Sequence, residues 1–423
     1  MLDAVHHRGI RLSTGAFRSS PVESLYADSG EPSLSFRRDK LSLQYYVRLL
    51  GMPNTLASRR VVNSCGDITF RDRPSSYAPL GLRVRRLMLS LNMENPNVLS
   101  SLLFETPPYI LDIPAHCPPL LEGPKTNYNP RHVQHLFSEH LLHHDAFTKV
   151  YTDGSRSSAG VGAAVVFPEH EVNLRLPPQA SSFFAEIVAM AKSLSLLTEQ
   201  QPGRYVIISD SLSALQVVTN PFTLHAAVVS MHTTLRELQQ QGFEVQFCWS
   251  PSHVGIRGNE RADDLARSAV DRGARIVNMP LPHRDYYPHI RDLLIRRWET
   301  LWQRETHNKL RRIKDSVQSW ATSYHPTRKK EIILARLRIG HTRLTHGYLM
   351  ERGVQPYCED CLVPLTVAHI LTECPSLSDA RSLSMGADGL VRPLSLSSAL
   401  GDDPIRLQKL FTFLDLVDLW DQL

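Results

Sequence analysis

Between residues 146 and 273, apolar and polar positions follow two periodicities, one typical of strands and one typical of helices. Alternating or wholly apolar runs that end at turn residues predict five strands. They are FTKVYTD, GVGAAVVF, EVNLRL, YVIISD and FEVQFCW. Helical spacing predicts four helices, in SSFFAEIVAMAKSLSLL, SLSALQVV, residues 223–241 and NERADDLARSAV. The order of these elements predicts an α/β fold, a five-stranded mixed sheet with flanking helices.

The regions on either side have different patterns. Residues 1–52 have helical spacing, whereas residues 53–145 hold scattered prolines and no sustained period. Each proline fixes its own φ and biases the preceding residue away from helix, so residues 107–130 are predicted to be an extended linker. Five regions follow from these patterns. They are a helical and then proline-rich region (1–145), the α/β domain (146–273), a basic helical region (274–350), a cysteine- and histidine-rich module (351–380) and a helical C-terminal tail (381–423).

Composition narrows the class of protein. Hydrophobic residues make up 42% and charged residues 21% of the 423 positions, which excludes wholesale disorder. No apolar run reaches the roughly 18 residues of a membrane span, and six cysteines are too few for a disulfide scaffold. The first residues lack the apolar core of a signal peptide. We therefore expect an intracellular protein, nuclear or cytoplasmic, with reduced thiols and no membrane partner.

The charge is unevenly spread along the chain. Residues 147–272 hold ten Lys and Arg against twelve Asp and Glu, whereas residues 275–350 hold sixteen against six. A basic excess raises affinity for polyphosphates without reading sequence, so the second segment is a candidate nucleic-acid contact. Solvated helix faces are the alternative. Trp298, Trp302 and Trp320 lie in this segment, and the i, i+4 spacing of the first two favours a helix core over base stacking.

Four acidic residues occupy similar places in the predicted domain. They are Asp153 and Asp210 at the ends of the first and fourth strands, Glu186 early in its helix, and Asp263 in the last helix. Taken singly, each has an ordinary explanation as a turn residue, a helix cap or part of a solvated face. Carboxylates that share one cleft would repel each other, and Mg²⁺ or Mn²⁺ would relieve that repulsion. Two such ions could activate a water against a phosphodiester.

The motifs YTDGS, AEIVA, IISDS and SPSHVGIRGNERADDLA, in this order, resemble the type 1 ribonuclease H family over about residues 147–272. The last motif is the most specific, because it sets His253 ten residues before Asp263. The resemblance implies an endonuclease that cuts the RNA strand of RNA–DNA hybrids with two Mg²⁺ ions. The implied metal ligands are Asp153, Glu186, Asp210 and Asp263. His253, on a glycine-containing loop, would assist proton transfer or product departure.

Specificity for a hybrid would require contacts to 2′-hydroxyl groups. Candidate donors are Ser155, Ser182 and Ser211. The leading hypothesis is thus a hybrid ribonuclease that binds RNA–DNA duplexes. The alternative is a remnant that binds nucleic acid through the basic segment and does not cut it.

A second cluster of chemically active side chains lies near the C-terminus. Its members are Cys358, Cys361, His369 and Cys374. Thiolates with one imidazole suit tetrahedral Zn²⁺, so the spacing predicts a small zinc-dependent module, with three free cysteines as the alternative. GHTRLTHGYL and TVAHILTECP resemble the zinc-binding tail that follows ribonuclease H in some reverse-transcriptase polyproteins. His341 and His346 are spare candidate ligands.

Residues 6–50 resemble the region just after the polymerase domain in non-LTR (LINE-type) retrotransposon polyproteins. Three resemblances therefore occur in the order expected for the C-terminal part of such a polyprotein. The sequence contains no Tyr-x-Asp-Asp motif, so no DNA synthesis is predicted.

Overall fold

The computed structural model describes residues 2–52, 54–62, 78–100, 107–117, 127–271, 275–321, 327–386 and 395–423. The strands are β1 (His116–Cys117), β2 (Thr148–Arg156), β3 (Val161–Val166), β4 (Glu171–Leu176), β5 (Arg204–Ser209) and β6 (Glu244–Trp249). The α-helices are α1 (Leu2–Thr14), α2 (Val22–Ser29), α3 (Leu34–Leu50), α4 (Leu56–Val62), α5 (Leu80–Ser90), α6 (Pro130–Leu142), α7 (Ser182–Leu197), α8 (Leu212–Val218), α9 (Ala226–Gln240), α10 (Arg257–Asp271), α11 (Tyr286–Gln303), α12 (Arg328–Ile339), α13 (Arg343–His346), α14 (Tyr348–Glu351), α15 (Ser378–Met385), α16 (Leu396–Leu400) and α17 (Pro404–Leu416). Within these ranges, no helix combines the length and the apolarity needed to span a membrane.

The chain divides into two compact units, which we call the sheet unit (residues 42–290) and the terminal unit (residues 1–41 with 291–423). The terminal unit is discontinuous because residues near the N-terminus share a core with residues far along the chain. Ala27, for example, packs against Trp302 and Trp320. The two units therefore cut across the five regions expected from local sequence patterns, which do not report long-range packing.

The sheet has the strand order β1-β6-β5-β2-β3-β4. β2, β3 and β4 form an antiparallel meander, while β5 pairs in parallel with β2 and β6 pairs in parallel with β5. The predicted five-stranded mixed sheet with flanking helices is confirmed. β1 extends it at one edge by a two-residue parallel pairing with β6, and it comes from the segment predicted to be a linker.

The buried strand β5 anchors the core of the sheet unit. Its residues Val206, Ile207 and Ile208 have no exposed surface, as their wholly apolar run predicts. Helix α7 lies against β2 and β3, and helix α10 lies against β2, β3 and β4. The strand that carries Asp153 is thus packed against the two helices that carry Glu186 and Asp263.

The terminal unit buries part of the basic segment. Trp302 in α11 is only 2% exposed, and Trp298, one turn earlier, packs partly buried against the same cluster, as their i, i+4 spacing predicts. Trp320, 9% exposed, joins this cluster from outside the helices. The Lys314 Nζ donates to the carbonyl of Ala27 (2.7 Å), and the Arg338 guanidinium lies 3.7 Å from the ring centre of Trp320. Burial lowers the pKa of Lys314 to about 8. These two cations have structural partners, so they do not form part of an open phosphate-binding surface.

Candidate active site

Asp153 and Glu186 meet where helix α7 crosses strand β2. A Cβ atom on Gly154 would collide with the backbone nitrogen of Glu186, so only glycine lets the helix approach this closely. The helix is held at its start by the Ser181 hydroxyl, which accepts from the backbone N–H of Phe184 (3.1 Å). Both carboxyl side chains are buried, with 6% of each residue exposed. The fold therefore places two acidic groups together in a region of low solvent access.

Asp210 joins them because β5 runs parallel to β2. In this register Thr152 pairs with Ser209, so the residues that follow, Asp153 and Asp210, lie side by side at the same edge. The Asp210 carboxylate accepts from the Asn259 side-chain amide (3.3 Å), and its backbone carbonyl accepts from the Trp249 indole N–H (3.1 Å). The position of Asp210 is thus fixed by its strand, by β6 and by helix α10.

The three carboxylates form one cluster. An oxygen from each of Asp153, Glu186 and Asp210 lies within 4.8 Å of the others. Burial and the charges of Asp210 and Asp263 raise the pKa of Asp153 to about 7. Burial, followed by repulsion from Asp153 and Asp210, raises the pKa of Glu186 well above its usual range. This arrangement favours either bound protons or a cation with a preference for oxygen ligands.

Asp263 lies beside this cluster and outside the 4.8 Å group. Its carboxylate contacts the Arg267 guanidinium one helical turn further on, and it lies 3.7 Å from the Nδ1 of His253. Two basic side chains thus face Asp263 where the sequence predicts a metal ligand. Sequence reasoning missed Arg267 and Asn259; the i, i+4 spacing of Arg267 from Asp263 was the available signal for the first, and the position of Asn259 within the most specific motif was the signal for the second.

His253 lies on an exposed loop between β6 and α10. Its backbone has a φ of +53°, a left-handed conformation that is uncommon for residues other than glycine. Two residues later, Gly255 has a φ of +88°. The Glu260 carboxylate accepts from the Gly255 N–H (2.8 Å), so the loop is tied to the start of α10. The imidazole itself remains 69% exposed at the side-chain level, which leaves it open to a ligand in the cleft.

The three candidate serines differ in their surroundings. Ser155 lies in β2 and is half-buried. The Ser182 hydroxyl donates to the carbonyl of Gly154 (3.3 Å), and the Ser211 hydroxyl lies 3.4 Å from that of Ser213. All three are near residues of the carboxylate cluster in sequence. Their roles as substrate contacts stay predictions.

The cysteine–histidine cluster lies in the terminal unit, where its four ligand atoms all lie within 4.8 Å of one another. The Sγ of Cys374 is 3.8 Å from that of Cys358 and 3.9 Å from that of Cys361. His369 is 5% exposed, and its buried Nε2 has no hydrogen-bond partner among the described residues. The spare candidate ligands, His341 and His346, have other contacts. Their rings stack with centres 3.8 Å apart, and a hydrogen bond of 3.0 Å joins the Nδ1 of His341 to the Ser19 hydroxyl.

Part of the sheet unit is similar to known proteins. Residues 145–271 match the family model described as RNase H. Ribonuclease H1 of Rattus norvegicus is 32% identical over 155 residues, which are 31% of this chain and 54% of the rat protein. Ribonuclease H1 of Homo sapiens is 31% identical over 143 residues, which are 29% of this chain and 50% of the human protein. The chain therefore spans about half the length of the curated relatives it matches.

Among solved structures, RNase H1 from the archaeon Halobacterium salinarum NRC-1 is 23% identical and aligns with a TM-score of 0.24, covering 30% of this chain and 98% of that chain. The family match and the strand order together define the class of the domain. Residues 145–271 match the RNase H family model and have the RNase H-like fold.

Proposed function

We propose that this protein hydrolyses the RNA strand of RNA–DNA hybrids with two divalent cations, Mg²⁺ or in its place Mn²⁺. The observation that carries the proposal is the convergence of Asp153, Glu186 and Asp210 in a domain that matches the RNase H family. The rat and human relatives are named Ribonuclease H1, which supports the same reaction class.

The donor set fits a pair of hard divalent cations. All the candidate ligands are carboxylate oxygens, and burial, followed by repulsion between the carboxylates, raises the pKa values of Asp153 and Glu186. Asp153 would hold the ions together with Glu186 and Asp210, and the charges of Asp210 and Asp263 both raise its pKa. Asp263 would become the fourth ligand once its carboxylate rotates away from the Arg267 guanidinium.

The chain's own side chains account for the rest of the chemistry. When bound, two divalent ions would activate the attacking water and stabilise the leaving oxygen of the phosphodiester. His253 would carry protons beside the acidic cluster, because its imidazole is exposed and lies 3.7 Å from the Asp263 carboxylate. Asn259 would hold the Asp210 carboxylate in orientation through its amide. The hydroxyls of Ser155, Ser182 and Ser211 remain the proposed contacts to the hybrid.

The decisive experiment incubates the purified chain with an RNA–DNA duplex labelled on each strand, beside DNA–DNA and RNA–RNA duplexes of the same sequence. With Mg²⁺ we expect cuts in the RNA strand of the hybrid alone, and no cuts after chelation. Binding to all three duplexes without any cleavage in Mg²⁺ or Mn²⁺ would contradict the proposal. That result would support the alternative, a non-catalytic nucleic-acid-binding protein.

We also propose that the cysteine–histidine cluster binds Zn²⁺. Three thiols and one imidazole are a common tetrahedral zinc set, and the four candidate ligand atoms lie within 4.8 Å of one another. Because the four ligands lie within a segment of 17 residues, the metal would stabilise this part of the fold directly.

The origin of the chain is a further proposal. The order of the three resembling segments supports descent from the C-terminal part of a non-LTR retrotransposon polyprotein, acting inside the cell. Sequencing the genomic locus tests this, since a related element elsewhere in the genome should carry a polymerase reading frame joined to the same three segments. Copies that never adjoin a polymerase frame would contradict it.

A further inference from the structure

Helix α6 packs against strands β5 and β6 although it precedes the family match, which begins at residue 145. Its residue Phe137, 1% exposed, lies in a buried cluster with Val206 and Ile208 of β5 and Cys248 of β6. Ile256, from the loop that bears His253, belongs to the same cluster. An element outside the RNase H domain thus shares a hydrophobic core with the catalytic loop.

A directed polar contact joins the same two elements. The Gln134 side-chain amide in α6 donates to the backbone carbonyl of Gly255 at 2.9 Å, across 121 positions of sequence. The N–H of Gly255 is meanwhile bound by Glu260 at 2.8 Å. The peptide groups on both sides of Gly255 are therefore held, one from within the domain and one from α6.

The loop conformation explains why such a contact matters. His253 and Gly255 both have left-handed backbone conformations, with φ values of +53° and +88°. A residue other than glycine keeps this conformation only where its surroundings impose it. With the contact in place, the Nδ1 of His253 lies 3.7 Å from the Asp263 carboxylate, at the edge of the acidic cluster.

We propose that Gln134 is a positioning residue for the reaction, and that α6 acts as a brace that holds the loop of His253 in its working conformation. The inference rests on the proposed function, because it gives His253 a part in hydrolysis. It assigns a role to a helix outside the matched domain. Gln134 touches neither the carboxylates nor the nucleic acid in this scheme, and its effect passes through Gly255 to His253.

The test compares Gln134→Ala and Gln134→Glu with the wild-type chain. The glutamate variant keeps the size of the side chain and removes the donor, so it separates the hydrogen bond from packing. Gln240→Ala is the matched control, since Gln240 is an exposed glutamine at the end of α9. Each variant is also made with His253→Ala.

For both Gln134 variants we expect kcat to fall about three- to tenfold, as expected for one lost hydrogen bond, with KM for the hybrid changed less than about twofold. In the His253→Ala background the same substitutions should change kcat by less than about 1.5-fold, because the imidazole that Gln134 is proposed to position is absent. Hydrogen exchange of residues 253–256 should accelerate in both variants and stay unchanged in Gln240→Ala.

An unchanged kcat together with unchanged exchange in the loop would overturn the inference. So would an equal loss in the presence and absence of His253, which would mark a general structural effect. A wild-type chain that fails to cut the hybrid would instead defeat the proposed function. The exchange measurement still tests the brace in that chain.

Discussion

The two candidate metal sites of this protein are built in opposite ways. The acidic cluster draws Asp153, Glu186 and Asp210 from two parallel strands and a helix, so the large core of the sheet unit holds them in place. The cysteine–histidine cluster draws its ligands from 17 consecutive residues, and Val367, Ile370 and Leu371 of the same segment belong to a buried hydrophobic cluster. The first site is assembled from distant parts of the chain and is crowded by its own charges, whereas the second is local in sequence and, on the proposal above, would gain stability from zinc. Removing metal should therefore stop chemistry at one site and loosen the fold at the other.

The largest expected effect is on chemistry at the acidic cluster. Asp210→Asn keeps the shape of the side chain and removes one charge of the metal site. We expect the rate of hybrid cleavage to fall at least about 10³-fold, with affinity for the uncut hybrid within about threefold of wild type. Cleavage kinetics and fluorescence anisotropy measure the two quantities.

The control for this substitution is Asp145→Asn, an exposed carboxylate of the same unit whose partner is Lys149. It should cut at the wild-type rate. Full activity in Asp210→Asn would show that Asp210 is no metal ligand.

The next largest effect concerns the cysteine–histidine cluster. Cys374→Ser removes one of its thiols, and we expect bound zinc to fall from about one ion per chain to near zero. Peptides around residues 358–374 should then exchange their amide hydrogens faster. Hybrid cleavage should stay within about twofold of wild type, because the carboxylates belong to the sheet unit.

Elemental analysis and hydrogen exchange measure these changes. Cys248→Ser, the same substitution at a thiol of β6 outside the cluster, should keep its zinc. Equal zinc content in Cys374→Ser and the wild-type chain would rule out the proposed ligand set.

A third effect concerns the strain in the metal-free acidic cluster. The pKa of Asp153 is raised from 3.8 to about 7, so the folded chain holds a proton that the unfolded chain releases. The stability from this group is complete below about pH 4 and is lost as the pH rises towards 7. Asp153→Asn removes this dependence, and at pH 8 without metal the variant should be more stable than wild type by about 2–4 kcal/mol.

Urea titrations at pH 5 and pH 8, followed by hydrogen exchange of β2 and β5 peptides in chelator, provide the measurement. Mg²⁺ at pH 8 should stabilise the wild-type chain and leave Asp153→Asn nearly unaffected. Parallel stability of the two proteins at both pH values would show that the carboxylates do not repel each other as described.

Sequence patterns were sufficient for the sheet and for the three converging carboxylates. The wholly apolar run of β5 requires a central strand, and a residue that follows such a strand must emerge at the sheet edge beside its parallel neighbour. Glu186 was predicted through the resemblance of its motif to the ribonuclease H family, because its place early in a helix is also typical of a solvated face. Local spacing also placed the four members of the cysteine–histidine cluster close together, because few residues separate them.

Sequence patterns were not sufficient where contacts depend on distant packing or on side-chain choice. Nothing near Gln134 signals its bond to Gly255, since the two are far apart in the chain. The orientation of Asp263 towards Arg267 depends on a competition between charges that only the assembled cleft defines. The shared core of Ala27 with Trp302 likewise has no local signature.

The smallest expected effect tests that competition of charges. The Arg267 guanidinium pairs with Asp263 and also lowers the pKa of Asp153, so it places a positive charge beside the acidic cluster that would oppose the binding of metal cations. Replacing it with glutamine should free the Asp263 carboxylate and tighten Mn²⁺ binding about three- to tenfold, whereas Arg267→Lys keeps the charge and should stay near wild type. Calorimetric titration measures the Mn²⁺ affinity of each variant directly, without any cleavage of substrate. Unchanged or weaker binding in Arg267→Gln would mean that the ion pair does not compete with metal, and that the metal affinity of the acidic cluster depends on its own ligands alone.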